Sequence, residues 1–262
     1  MDSKEVKQQL SEAKKHKNNG YFAEALEILH QINNEFPNNP DYRYLLAATY
    51  YESMNTDAGK KYAEETLKID SQYKQAYELL GDVYTKENNL GKAQENYEKA
   101  SDLDIHYMTV DEKLIQLYLK TKNYEGVLRV CNNMMNYIHV DVSTAKSRAL
   151  TSVYLGCVLY KGWALVYLKR YEEAINEIKR RKELNMQIKY PSYFNQYKDD
   201  DEALFKMYYQ LKNTAKIGEY RKKMKEEYQL TNEEITKLEE EARQNIILFR
   251  QRPENMAYLG LT

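Results

Sequence analysis

Apolar residues recur every three to four positions along the chain, in short runs separated by polar turns, the pattern of amphipathic helices rather than strands. The clearest run is Lys74–Tyr107, KQAYELLGDVYTKENNLGKAQENYEKASDLDIHY. Tyr77, Leu80, Gly81 and Tyr84 share one helix face, and Ala93, Tyr97 and Ala100 share the face of a second helix. Asn88-Asn89 lies between them, where residues that tolerate left-handed backbone suit a tight turn.

Sliding this stretch by about 34 residues in either direction aligns the chain without a gap from Val6 to Asp141. Leu46, Leu80 and Leu114 fall in one column, and His16, Tyr50, Tyr84 and Tyr118 in another. Ala13, Ala47 and Gly81 form a small-residue column that Ile115 breaks. On the second helices Ala25, Gly59, Ala93 and Val127 align, as do Ile32, Thr66, Ala100 and Met134. A small residue where two helices cross lets their backbones approach, and a large one beside it fills the groove. Asn18-Asn19-Gly20 marks another turn within a pair, and Pro40, after Phe36-Pro37-Asn38-Asn39, can open a helix at its first turn. These columns resemble the tetratricopeptide repeat (TPR). The resemblance implies an all-α, right-handed α-solenoid with repeats at 6–39, 40–73, 74–107 and 108–141.

The pattern then loosens. Tyr171-Glu172-Glu173-Ala174-Ile175 suits the start of a second repeat helix, with Gly162 as the small residue of the first, placing a fifth repeat at 155–188. Residues 142–154 are left over, and Ala145, Ala149 and Val153 give them helical spacing, so one long helix is expected from Ser143 to Leu168. Pro191 reads as a linker, and Asp199-Asp200-Asp201-Glu202 as a helix N-terminus, where carboxylates meet the positive end of the dipole. Ala203, Leu204, Met207, Tyr208 and Leu211 give the next helix face, Asn213-Thr214 a turn, and 192–230 a degenerate pair. Thr231-Asn232-Glu233-Glu234 has capping-box spacing and predicts a final capping helix over 231–251. There Ile235, Leu238, Ala242, Ile246 and Phe249 would face inward and Glu239, Glu240 and Glu241 water, with a tail at 252–262. The expectation is a single domain closed by that polar-backed helix.

Charge narrows the partners. With 39 basic and 40 acidic side chains, the net charge of -1 gives no basic excess for nucleic acid or an acidic membrane. MDSKEVKQQL has no signal-peptide core, and no apolar run reaches the ~18 residues of a membrane span, so a cytoplasmic protein is expected. Cys131 and Cys157 sit in apolar runs and read as buried structural thiols. The 26 tyrosines outnumber the 5 phenylalanines, which suits half-buried packing with the hydroxyl reaching a polar group.

No catalytic constellation is found. His16, His30, His106 and His139 are dispersed, which predicts no metal site. The Ser-x-x-Lys spacing of Ser143–Lys146 recurs at Ser11–Lys14 on a surface helix and carries no specificity. Neither an enzyme nor a cofactor is expected.

What the TPR resemblance implies is a binding groove lined by the first helices, at fixed positions of each repeat. Carried onto this chain, those positions place Lys14 toward a basic entrance with Lys7 and Lys17. Aromatic Tyr44 and Tyr51 follow, then acidic Glu52, Glu78, Asp82 and Glu112, with Gln116 beyond. The carboxylate clamp of TPR co-chaperones is not matched, since Leu10, Lys14, Leu45, Gln75 and Leu79 stand at its positions. The expected function is a protein–protein interaction scaffold or adaptor that holds a peptide or partner protein, its segment pairing a basic with an apolar residue. The rival reading is a self-associating, homo-oligomeric scaffold. A peptide-sensing regulator is disfavoured because only about five residues precede the first repeat.

Overall fold

The computed structural model describes residues 3–138, 145–188 and 194–244. They form an all-α helical-repeat solenoid. The first eight helices are α1 (Ser3–Asn18), α2 (Phe22–Glu35), α3 (Pro40–Glu52), α4 (Thr56–Ile69), α5 (Lys74–Lys86), α6 (Leu90–Leu103), α7 (Met108–Lys120) and α8 (Tyr124–Tyr137). Then come α9 (Ala145–Tyr167), α10 (Tyr171–Ile188), α11 (Phe194–Gln210), α12 (Thr214–Glu226) and α13 (Asn232–Arg243). The first helices α3, α5 and α7 start at 40, 74 and 108, and the second helices α2, α4, α6 and α8 at 22, 56, 90 and 124, always 34 residues apart.

The turn within each pair is built the same way. The second residue after the first helix takes a left-handed backbone at Gly20 (φ 79°), Met54 (67°), Asn88 (56°) and Lys122 (58°), again 34 residues apart. In the second, third and fourth pairs the side chain of the next residue then caps the second helix. The N–H groups of Ala58, Lys92 and Gly126 donate to the side-chain oxygens of Asn55, Asn89 and Asn123, which satisfies a donor with no partner inside the helix. Lys169 and Lys212 repeat the left-handed step, and Asn213 caps α12 by accepting from the Lys216 N–H.

The chain divides into two compact units, 1–117 and 118–262, with the boundary inside α7. In the first unit α1 packs on α2, α3 on α4 and α5 on α6, and each pair meets the next through α2–α3 and α4–α5. The aligned columns are its core: Ala13, Ala25, Ile32, Leu46, Ala47, Gly59, Leu80, Gly81, Ala93 and Ala100 are all buried. Tyrosines bridge core and surface. The rings of Tyr50 and Tyr62 stack 5.4 Å apart, and the Tyr50 hydroxyl lies 2.8 Å from His30 Nε2.

In the second unit α9 packs between α8 and α10, and α11 meets α10, α12 and α13. The long helix expected around 143–168 is α9, 23 residues from Ala145, and positions 143 and 144 lie outside the described residues. Cys131 and Cys157 are buried free thiols, with Cys157 Sγ 3.7 Å from Met134 Sδ. In the fourth pair Gly126, on the second helix, does the work of the small residue. A Cβ there would fall 2.8 Å from the ring of Tyr118, whose hydroxyl accepts from Arg129 at 2.8 Å.

Two expectations about charge are corrected. Asp199–Glu202 do not open a helix, because α11 starts at Phe194 and carries them inside it. Asp200 and Asp201 are fully buried, at 0% exposure, where an unpaired carboxylate would be prohibitive, and each is met by cations. Arg181 pairs with Asp200. Asp201 takes Lys182 at 2.8 Å, Lys223 at 2.9 Å and the Tyr228 hydroxyl at 2.6 Å, which ties α10, α11 and α12 together. Nor do Glu239 and Glu241 face water: Glu239 pairs with Arg221 and Glu241 with Lys206, and only Glu240 is exposed. The capping box of α13 forms as expected, with Thr231 and Glu234 exchanging side-chain and backbone bonds, and Ile235, Leu238 and Ala242 are buried beneath it. His139, Pro191, Ile246, Phe249 and the expected tail lie outside the described residues. Among the described residues no helix is long and apolar enough to cross a membrane.

Candidate interaction face

The first helices of the first unit carry the residues the sequence singled out. Tyr44 and Tyr51 are half-buried on α3, two turns apart, with Glu52 exposed beside Tyr51. Glu78 and Asp82 are half-buried on α5, one turn apart, so they share a face. Glu112 and Gln116 hold the equivalent pair of positions on α7 and are also half-buried. Lys14 is exposed on α1, and the α1 cation that reaches the acids is Lys17, 2.8 Å from Glu52.

Glu78 and Asp82 are locked by three side chains that the groove positions did not include. Lys113 Nζ lies 2.8 Å from each carboxylate and bridges them. Each carboxylate also accepts a hydroxyl, that of Tyr107 on Glu78 and that of Tyr97 on Asp82 at 2.6 Å. Gly81 makes the Tyr97 contact possible. A Cβ at Gly81 would fall 2.9 Å from Tyr97 Cζ and closer still to Cδ1 and Cε1, so the ring crosses α5 only because that carbon is missing. The Tyr97 hydroxyl thereby passes from the second helix to the face of the first, where Thr85 Oγ1 also meets it at 3.3 Å. Residues of the packing consensus are thus also residues of the polar face.

At its aromatic centre the three carboxylates are met by Lys17, Lys113 and Lys86, the last 5.8 Å over the Tyr51 ring. Burial first, and then the carboxylates of Glu78, Asp82 and Glu52, push the Tyr44 hydroxyl up to about 12. The Tyr44 ring sits 5.1 Å from that of Tyr73, whose hydroxyl donates to Asp41 at 3.0 Å. Tyr51 is also raised, by burial and then by Asp82, with Lys113 acting against the shift. Lys113 itself is raised: burial works against its charge, and Asp82 and Glu78 overcome that. Glu112 is raised by burial and then by Asp111, beside it on α7. The structure therefore brings Tyr44, Tyr51, Glu52, Glu78 and Asp82 into one electrostatic cluster.

Lys113 had a signal in the sequence. It stands 35 residues after Glu78 and 31 after Asp82, one repeat on with a one-turn bracket, in a column occupied by Leu45 and Leu79. Tyr107 was hidden, because its helix-connecting position offers no face to read. Among the described residues no group of three or more His, Cys, Asp or Glu side chains could hold a metal ion.

A family model described as the tetratricopeptide repeat protein 21 C-terminal ARM domain matches residues 6–146. Among solved structures, a crystal structure of MamA protein is similar at a TM-score of 0.54 and 15% identity, covering 70% of this chain and 92% of that one. A chain from the structure of Naa15/Naa10 bound to HypK-THB is similar at a TM-score of 0.65 and 16% identity, covering 98% of this chain but 39% of that one. At such identities the likeness is one of fold. No curated protein matches the sequence.

Proposed function

The chain belongs to the tetratricopeptide repeat protein 21 C-terminal ARM-domain family, and we propose that it is a protein-interaction scaffold whose first-helix face holds an extended segment of a partner protein. The observation that carries this reading is Tyr44, a half-buried aromatic ring whose hydroxyl feels three carboxylates from α3 and α5. A ring of this kind offers an apolar contact next to a cation-attracting field. A segment with a basic residue beside an aliphatic or aromatic one fits both. Stacked helical hairpins are well suited to the task, because a preformed surface lowers the ordering cost of capturing a flexible segment.

The similar structure of Naa15/Naa10 bound to HypK-THB is of a complex, and the likeness in fold supports a role among protein partners. The test is to capture partners with the full chain and with Tyr44→Ala and Glu52→Lys variants, both of which leave the buried columns intact. Partners held by this face are lost from both variants. An unchanged partner set would place binding elsewhere. Light scattering on the purified chain separates a monomeric adaptor from a self-associating scaffold.

A further inference from the structure

We propose that Tyr124 and Tyr167 form an oxidative cross-linking site: a one-electron oxidant of the haem-peroxidase class, supplied with hydrogen peroxide, joins their rings by a carbon–carbon bond and staples α8 to α9. The proposal goes beyond the interaction-face reading and does not depend on it.

Tyr124 is the first residue of α8 and Tyr167 the last of α9. Their rings stack with centroids 4.6 Å apart and planes 3° from parallel, which puts ring carbons of one against ring carbons of the other. An oxidant can reach the pair. Among the described residues only Tyr21 and Tyr167 are exposed tyrosines, at 56% and 58%, and the ring against Tyr21 is His16. The parallel pair Tyr50–Tyr62 is wider, at 5.4 Å, and both of its rings are half-buried. Repeat packing does not call for a ring at 167 either. The last residues of the earlier first helices are Asn18, Glu52, Lys86 and Lys120, all polar.

The chemistry balances within the pair and one peroxide. Each phenol gives up one electron and its hydroxyl proton. The two radicals join at ring carbons ortho to oxygen, and the hydrogen on each of those carbons moves to the oxygen and restores the phenol. The two electrons and two protons reduce one hydrogen peroxide to two waters. Tyr167 meets the oxidant, and an electron from Tyr124 crosses the stack to refill it before the second oxidation. Both rings stand at helix ends, where the backbone yields most easily to the tilt the bond requires. Because α8 closes the fourth pair and α9 opens the next, the bond fixes a joint between neighbouring hairpins. It also closes a loop in the unfolded chain, as a disulfide does.

The test treats the full chain with a haem peroxidase and hydrogen peroxide, and reads dityrosine fluorescence and peptide mass spectra. The expected product within the monomer is a linked pair of peptides carrying Tyr124 and Tyr167, lighter by two hydrogens than their sum. Tyr124→Phe and Tyr167→Phe keep both rings and the stack, so folding is preserved, and each loses that product. The treated wild type unfolds at a higher urea concentration than the untreated chain, a shift absent from both variants. Coupling at other tyrosine pairs, coupling only between chains, or no coupling at all overturns the site. The linked product without a raised urea midpoint overturns the staple.

Discussion

The contact between Gly81 and Tyr97 joins packing to function through a single missing carbon. In Gly81→Ala the new Cβ meets ring atoms of a side chain that is itself buried, not the free end of a flexible one. Unfolding in urea is expected to show a loss of about 1–3 kcal/mol, the usual cost of overpacking. Tyr97→Phe keeps the ring and removes the hydroxyl from Asp82, and is expected to cost about 1.5–3 kcal/mol, the range for a hydrogen bond to a charged group. Alkali reports on the same cluster. Tyr44 is raised to about 12, so its folded-state value lies above the ordinary phenol value of ~10. Its contribution to stability is complete below pH ~10 and is lost as the pH rises toward 12, because the unfolded chain releases the proton first. Urea midpoints measured between pH 8 and 12 should fall less steeply for Tyr44→Phe, and an unchanged slope would refute the assignment.

At the level of elements, the turns within pairs hold the clearest stored cost. Met54, Lys122, Lys169 and Lys212 occupy a left-handed backbone that only Gly20 adopts freely. Replacing any of the four with glycine removes a penalty of about 1–2 kcal/mol but loosens the unfolded chain, for a net gain of about 0.5–1 kcal/mol. Raised urea midpoints check this, with Gly20→Ala moving the opposite way. The cap of α13 behaves oppositely in acid. Bonds from Thr231 hold Glu234 below the ordinary carboxylate value, so its support is present above that value and fades as the pH falls through the lowered one. Thr231→Ala is expected to cost about 1 kcal/mol and to speed amide exchange in α13. This level was also the most legible from sequence, for a physical reason. Residues such as Leu80, Gly81 and Ala93 are fixed by close approach, which allows few choices and so repeats visibly. Tyr107 and Asp201 act through long or buried side chains that reach another element. Nothing near them in sequence declares that reach, and the Asp199–Glu202 run even imitates a helix start.

For the whole molecule, the two units should respond separately to damage. Asp201→Asn leaves Lys182 and Lys223 facing each other without their shared carboxylate, a loss of about 3–5 kcal/mol for a broken buried pair. Hydrogen exchange should show that loss in α10, α11 and α12, while amides of α3 to α6 keep their protection, as expected of stacks stabilised by nearest neighbours. Copies of one backbone unit could also stack out of order, a known failure of repeat chains. Here the backbone is periodic but the polar rungs between successive repeats of the first unit are not. A stack that skipped the second repeat would set Lys17 against Lys86, in place of Glu52. A skipped third repeat would turn Lys113 toward Tyr44 and Ala48, in place of Glu78 and Asp82. The rungs therefore work as ordinal labels. They tell otherwise interchangeable hairpins which neighbour is next, so the chain carries its own assembly order in its least repetitive residues.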